Sequence, residues 1–428
     1  MKDLAKYAVN KLLELGAEKG ECWVQVENKD ELNIHSAKID LLRTNESYTL
    51  KLTGLKDNKK GSVTLNKINK KNIDKMAEKT LKIIESSRED KANDISEGPL
   101  KEKFESGPIS PEREKMYENL SNFLKNVKND FPKIKLEQSI LEHTKIENYY
   151  ENSNDVSLYS KKGKYQFTSM FFSKDGKKTS SFNYTQLSTK NIEKPYYNSG
   201  TIKRLLKENQ EQLETKSVHQ NFKGDLIITP DCMGSFIGFI TRYLKDHYII
   251  TGNSIFKDKL NKKIANENFS LYSKPLAEEI ASNYFITSDG NLAENLEIIK
   301  DGNLKSFMLS LYGSNKTGKK RANNSGGCYV IEPGKKSIDD IIKNTDKGII
   351  LSRFSGGNPS DNGDFSGVAK NSFYVENGEI KYPISETMIA GNLAEILMNI
   401  RNISKERVNF GSSILPWIKT SGVMISGK

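Results

Sequence analysis

Along residues 222 to 248 the apolar positions change period, and the predicted element changes with them. Asp225-Leu-Ile-Ile228 is a short β-like run. Thr229-Pro230-Asp231 follows with a capping hydroxyl, a proline suited to the first helical position and an acid near the positive N-terminal end. Met233, Phe236, Ile237, Ile240, Tyr243 and Leu244 then recur at helical spacing and predict one apolar face. Titratable groups come late, at Arg242, Lys245, Asp246 and His247. A helix that starts so cleanly carries nothing at its centre that could do chemistry.

Elsewhere the pattern predicts an α+β protein built in three parts. In residues 1–88, Leu4, Ala8, Val9, Leu12 and Leu13 share a helical face that ends at Gly16. Alternation at Cys22, Val24 and Val26, at Leu32 and Ile34, and at Tyr48, Leu50 and Leu52 predicts strands, and Ile73, Met76, Ala77, Leu81 and Ile84 predict a closing helix. Residues 89–109 are polar, with Pro and Gly, and read as a linker. Residues 110–221 repeat the helix, strands, helix plan, with Met116, Leu120, Phe123 and Val127 on the first helix and a turn at Asp175-Gly176. Residues 222–428 are turn-rich (Asp289-Gly290, Asp301-Gly302, Asn377-Gly378) and read as a mainly antiparallel β domain holding a few helices. One of these starts at Ser337 with Asp340 in capping-box spacing, and another carries Leu393, Ile396, Leu397 and Ile400.

Composition narrows the class. The 428 residues are 36% hydrophobic, enough for real cores, and no apolar run approaches the roughly 18 residues of a membrane span. With no signal-peptide pattern at the start, the expected compartment is the cytoplasm. Three cysteines, Cys22, Cys232 and Cys328, are widely spaced and predict buried thiols rather than disulfides or a zinc knuckle. The net charge of +11 invites a nucleic-acid reading, but the lysines are dispersed among Asn-rich loops with acids close by, as on a solvated face.

Four histidines, His35, His143, His219 and His247, lack partners at metal-ligand spacing, and no HExxH, CxxC, GxSxG or Walker motif occurs. Neither catalytic nor metal-ligating residues are therefore predicted in this chain. Three glycine-bearing loops are the candidate ligand contacts: Asn323, Asn324, Gly326 and Gly327; Gly356, Gly357 and Asn358; and Gly391 with Asn392, ahead of a helix whose amides are free to meet a carboxylate. Taken alone, each loop more commonly just turns a β domain, and ligand contact gains weight only because three are gathered in one domain.

Gly363-Asp-Phe-Ser366, Val375-Glu-Asn-Gly-Glu-Ile380, Tyr382-Pro-Ile-Ser-Glu386 and Ile389 to Leu397 together resemble the TldD/PmbA family, with Val330-Ile-Glu-Pro-Gly334 in support. The resemblance implies that TldD-type subunits carry a His-Glu-x-x-x-His metal motif on the helix that here starts at Pro230, and a later cysteine ligand. The three motif positions fall on Gly238, Phe239 and Tyr243, and the tail from 407 holds no cysteine. The resemblance thus implies the PmbA/TldE role: a subunit without its own cofactor, paired with a zinc-bearing TldD-type partner and enclosing an unfolded peptide. The alternatives are a stand-alone, homodimeric peptide- or protein-binding regulator, a cryptic enzyme using Cys232 or Cys328, and a protein acting at gyrase or DNA. Tyr243 either fills the vacated metal pocket or points into the shared cleft.

Overall fold

The computed structural model describes residues 1–35, 38–385 and 387–427. Its N-terminal half is organised by one sheet. Helix α1 (Lys2–Glu14) leads into β1 (Lys19–His35), β2 (Lys38–Lys56) and β3 (Lys59–Leu65), and α2 (Lys70–Ser86) follows. The β2–β3 turn places Asp57 and Asn58 at φ 52° and 58°, the left-handed pair that a two-residue hairpin of matching twist requires. After β4 (Leu100–Ser106) come α3 (Arg113–Asp130), β5 (Ile134–Asn152), β6 (Val156–Asp175), β7 (Lys178–Thr179), β8 (Asn183–Thr189) and α4 (Ile202–Glu211).

The two repeated units are not separate in their sheets. β1 pairs antiparallel with β5 from Glu21↔Asn152 to His35↔Gln138, which gives the order β3-β2-β1-β5-β6-β4. The predicted linker is corrected as well, because β4 lies within it and pairs parallel with β6 from Leu100↔Val156 to Ser106↔Lys162. Its charged sequence suits an exposed edge strand. Alternation sorts the sheet's two faces. Cys22, Val24, Leu50 and Leu52 pack on α1 and α2, while farther along the same face Leu32, Ile34, Leu141 and Phe167 join Met116, Leu120 and Phe123 of α3. The opposite face receives the C-terminal half.

That half begins with β9 (Phe222–Ile228) and α5 (Pro230–Arg242). Its sheet is mainly antiparallel, with the 413–426 strand paired antiparallel to β9, 387–392 and 400–409, and parallel to 329–331. Strand 347–351 adds to β9 in parallel, so α5 follows a strand fixed on both sides. Asn377 and Gly378 sit at φ 52° and 76° between strands 373–376 and 379–383, and Ser337 and Asp340 form the reciprocal capping box of a short helix at 338–343. Among the described residues no helix is long and apolar enough to cross a membrane.

Candidate functional site

Helix α5 is shorter than its apolar pattern predicts. It ends at Arg242, the chain bends through Tyr243 to Lys245, and α6 (Asp246–Ile250) starts anew. The bend is held from outside the helix, since the Met308 amide donates to the Leu244 carbonyl at 2.8 Å. His247 consequently lies in α6, not at the end of α5. At the other end, Pro230 takes the first helical position, but the Thr229 side chain makes no cap and its Oγ1 has no partner among the described residues. Asp231 instead accepts from Thr201 and pairs with Arg204, whose other bonds reach Glu208 at 2.7 and 2.9 Å.

The structure separates the three positions singled out on the predicted helix, and the last of them, Tyr243, lies just past the end of α5. Gly238 is exposed and, like Gly234 one turn earlier, has nothing among the described residues, its own helix backbone aside, within 4 Å of where a Cβ would stand. Phe239 is buried in an aromatic cluster, its ring centroid 5.6 Å from Phe236 and 5.8 Å from Phe354. Tyr243 is fully buried, edge-on to Tyr248 at 5.0 Å and Phe256 at 6.1 Å, and its hydroxyl donates to the Ser360 carbonyl. Burial raises the Tyr243 pKa, so the phenol stays protonated. Of its two sequence readings, the structure favours the packed side chain.

Two of the three glycine loops meet here. Asp364 pairs with Asn392 across adjacent strands, and the Asn392 amide donates at 2.9 Å to both the Asn362 carbonyl and Asp364 Oδ1. The same side chain accepts from the Ala394 and Glu395 amides, so the helix start expected to be free for a carboxylate is already capped from within. Gly391 lets the backbone pass close to the Phe365 ring, where a Cβ would stand 3.2 Å away. Gly356 faces Gly367 across its strand pair, and Gly357 and Asn358 are exposed. A cavity of about 540 Å³ opens beside Lys223, Phe365, Gly391 and Asn392.

The third loop is held by other elements. Asn323 and Asn324 donate to the Glu294 carboxylate and carbonyl at 2.9 and 2.8 Å, and Gly326 and Gly327 take φ of 83° and 76°. Asn324 lines a second cavity of about 280 Å³ with Lys245, Asp246 and His247. The cysteines are buried, and desolvation pushes the Cys232 thiol up to about 12 and Cys328 to about 11. Neither is poised as a nucleophile.

Residues 222–427 match the model of the PmbA/TldA metallopeptidase C-terminal domain, and solved structures extend the likeness over the whole fold. The chain is similar to the TldD/PmbA family. Its relatives there include the metalloprotease PmbA of Escherichia coli O157:H7, 30% identical over 188 residues, which are 40% of this chain and 41% of that protein. A zinc metalloprotease TldD homolog from Saccharolobus solfataricus is 27% identical over 201 residues, 44% of each chain. The chain thus spans about two fifths of the length of these curated relatives. TldE from Thermococcus kodakarensis superposes with a TM-score of 0.83 at 18% identity, covering 100% of both chains. A candidate modulator of DNA gyrase from Bacteroides thetaiotaomicron gives 0.88 at 20%, covering 100% of this chain and 99% of that one. These two likenesses speak for the fold.

The metal that family names imply does not fit the residues at these three positions. Gly238 offers no donor, Phe239 no carboxylate, and the Tyr243 oxygen is engaged by Ser360. Among the described residues, no three His, Cys, Asp or Glu side chains are grouped to hold a metal ion. Of the residues that carried the sequence resemblance, Glu386 lies outside the described ones.

Proposed function

We propose that this chain is the non-catalytic, substrate-enclosing subunit of a TldD/TldE-type zinc metallopeptidase acting on unfolded peptides in the cytoplasm, in proteolysis or peptide maturation. Zinc, its activated water and the general base would come from a TldD-type partner. One observation carries the reading: the positions along and just past α5 that align with the metal motif hold an exposed glycine and two aromatic side chains packed into the core. Converting them to a zinc site would require replacing buried packing, so the helix serves as scaffold. Strand edges and glycine loops suit an extended peptide, which pairs through main-chain bonds, better than a folded protein.

The test is reconstitution. A TldD-type subunit purified with and without this chain should cleave an unstructured reporter peptide efficiently only in its presence, and equal cleavage without it would sink the proposal. A second reading, the stand-alone homodimeric binder, draws on β2, whose outer edge beyond β3 has no strand partner among the described residues. Leu41 and Leu42 there are 39% and 60% exposed. A homodimer that ignores every TldD-type subunit would favour that alternative.

A further inference from the structure

The sheet face turned away from the helices carries a register of polar side chains. Lys51 sits beside Trp23, Thr49 beside Gln25, Gln25 beside Asn148, and Asn148 beside Ser160. Over this face lies the 282–293 segment of the C-terminal half. Phe285 stacks on Phe104 with ring centroids 4.8 Å apart, and Gly290 sits so close to Tyr150 that a Cβ would fall 2.1 Å from its ring. Lys162 and Lys164 reach across to the Asn283 carbonyl at 2.8 Å and Ser282 Oγ at 3.0 Å. Sheet and segment are therefore tied together, and a cavity of about 440 Å³ remains between them. Ser288 and Ser325 line both it and the 280 Å³ cavity beside Lys245, making one trough.

Charge along this trough is unbalanced. Its two carboxylates are already satisfied. Asp246 accepts from the Ser310 amide at 2.9 Å and from the Ser310 hydroxyl, and Asp289 accepts from the Leu311 amide at 2.7 Å and Thr287 Oγ1 at 2.6 Å while facing Arg321. Lys51, Lys162 and Lys245 have no carboxylate within 4.0 Å among the described residues. Lys162 donates only to a main-chain carbonyl, and burial lowers its pKa, so its ammonium is poorly compensated. Trp23 and Phe285 add apolar walls, and the Ser, Thr, Asn and Gln side chains add hydrogen-bonding groups.

We propose that this trough binds an extended peptide segment through a carboxylate, with Lys51 and Lys162 as its charged anchors and Lys245 at the far end. This names a substrate class for the peptide-enclosing role and rests on that reading. The carboxylate belongs either to an Asp or Glu side chain or to the peptide's free C-terminus. Both present the same pair of acceptor oxygens to an ammonium.

Fluorescence anisotropy with labelled unstructured peptides tests it, on the chain alone and on its complex with a TldD-type subunit. Three peptides suffice: one with internal Asp and Glu and an amidated end, its Asn/Gln counterpart, and that neutral counterpart with a free C-terminus. At low salt, at least one carboxylate form should bind roughly tenfold tighter than the neutral amide, and which one identifies the source. Lys51→Gln, at an exposed position that spares the core, should remove most of that difference, and Lys162→Gln should act in the same direction. Equal affinity for all three peptides, or no effect of Lys51→Gln, overturns the carboxylate proposal and leaves peptide enclosure standing. No binding of any peptide to chain or complex overturns both.

Discussion

Tyr243 distinguishes a filled pocket from a working cleft, and its substitutions give different answers in the two cases. The side chain is fully buried, contacts Tyr248 and Phe256 edge-on, and spends its hydroxyl on the Ser360 carbonyl. Tyr243→Phe deletes one neutral hydrogen bond whose acceptor belongs to an exposed residue able to bind water, so the loss should be about 0.5–1.5 kcal/mol. Tyr243→Ala removes the ring and leaves a cavity at the bend between α5 and α6, at a cost of about 3–5 kcal/mol. For a C-terminal half of this size the second change corresponds to a fall in Tm of roughly 10 °C. Urea unfolding and calorimetry measure both. Peptide binding and cleavage by the complex should be unchanged in Tyr243→Phe. A Tyr243→Phe variant of native stability but reduced peptide binding would refute the reasoning, since the phenol would then face substrate.

Other positions yield further expectations. Gly238→Ala places a methyl group in open space on a helix, so it should stabilise the isolated chain by roughly 0.5–1 kcal/mol in urea, and any loss of partner binding would mark that face as an interface. Arg204→Ala leaves Glu208 and Asp231 without their shared cation and should cost about 3 kcal/mol by the same measurement. His143 is buried, with Nε2 2.8 Å from the Pro108 carbonyl, and desolvation holds its pKa below the ordinary 6.5. The unfolded chain then binds the proton more readily, so this contribution is full above pH 6.5 and declines as pH falls below it. His143→Gln should flatten that part of the stability–pH curve. Brief iodoacetamide treatment of native protein at neutral pH should leave Cys232 and Cys328 unmodified by mass spectrometry, because burial keeps both protonated.

Local signals were legible where local physics decides the structure. Pro230 marks the start of α5, Ser337 and Asp340 cap their helix, and Asn377-Gly378 turns its hairpin. What local pattern could not show is pairing between distant segments. The charged run at 100–106 looks like a linker because as an edge strand it exposes most of its side chains, and its strand identity comes only from β6. Likewise β1 and β5 each read as part of a separate unit, yet their pairing fuses the units into one sheet. The trough has no sequence signal for a related reason. Lys51, Lys162 and Lys245 are unremarkable lysines in sequence and converge only when the 282–293 segment covers the polar face. The bend after α5 has no local signal, because Met308, far along the chain, holds it by bonding to Leu244.

Metal stoichiometry tests the central claim most directly. Inductively coupled plasma mass spectrometry, on this chain alone and on its complex with a TldD-type subunit, should find zinc only in the complex, at one ion per heterodimer. Zinc bound stoichiometrically to this chain alone would contradict the account and return the ligand search to its four histidines.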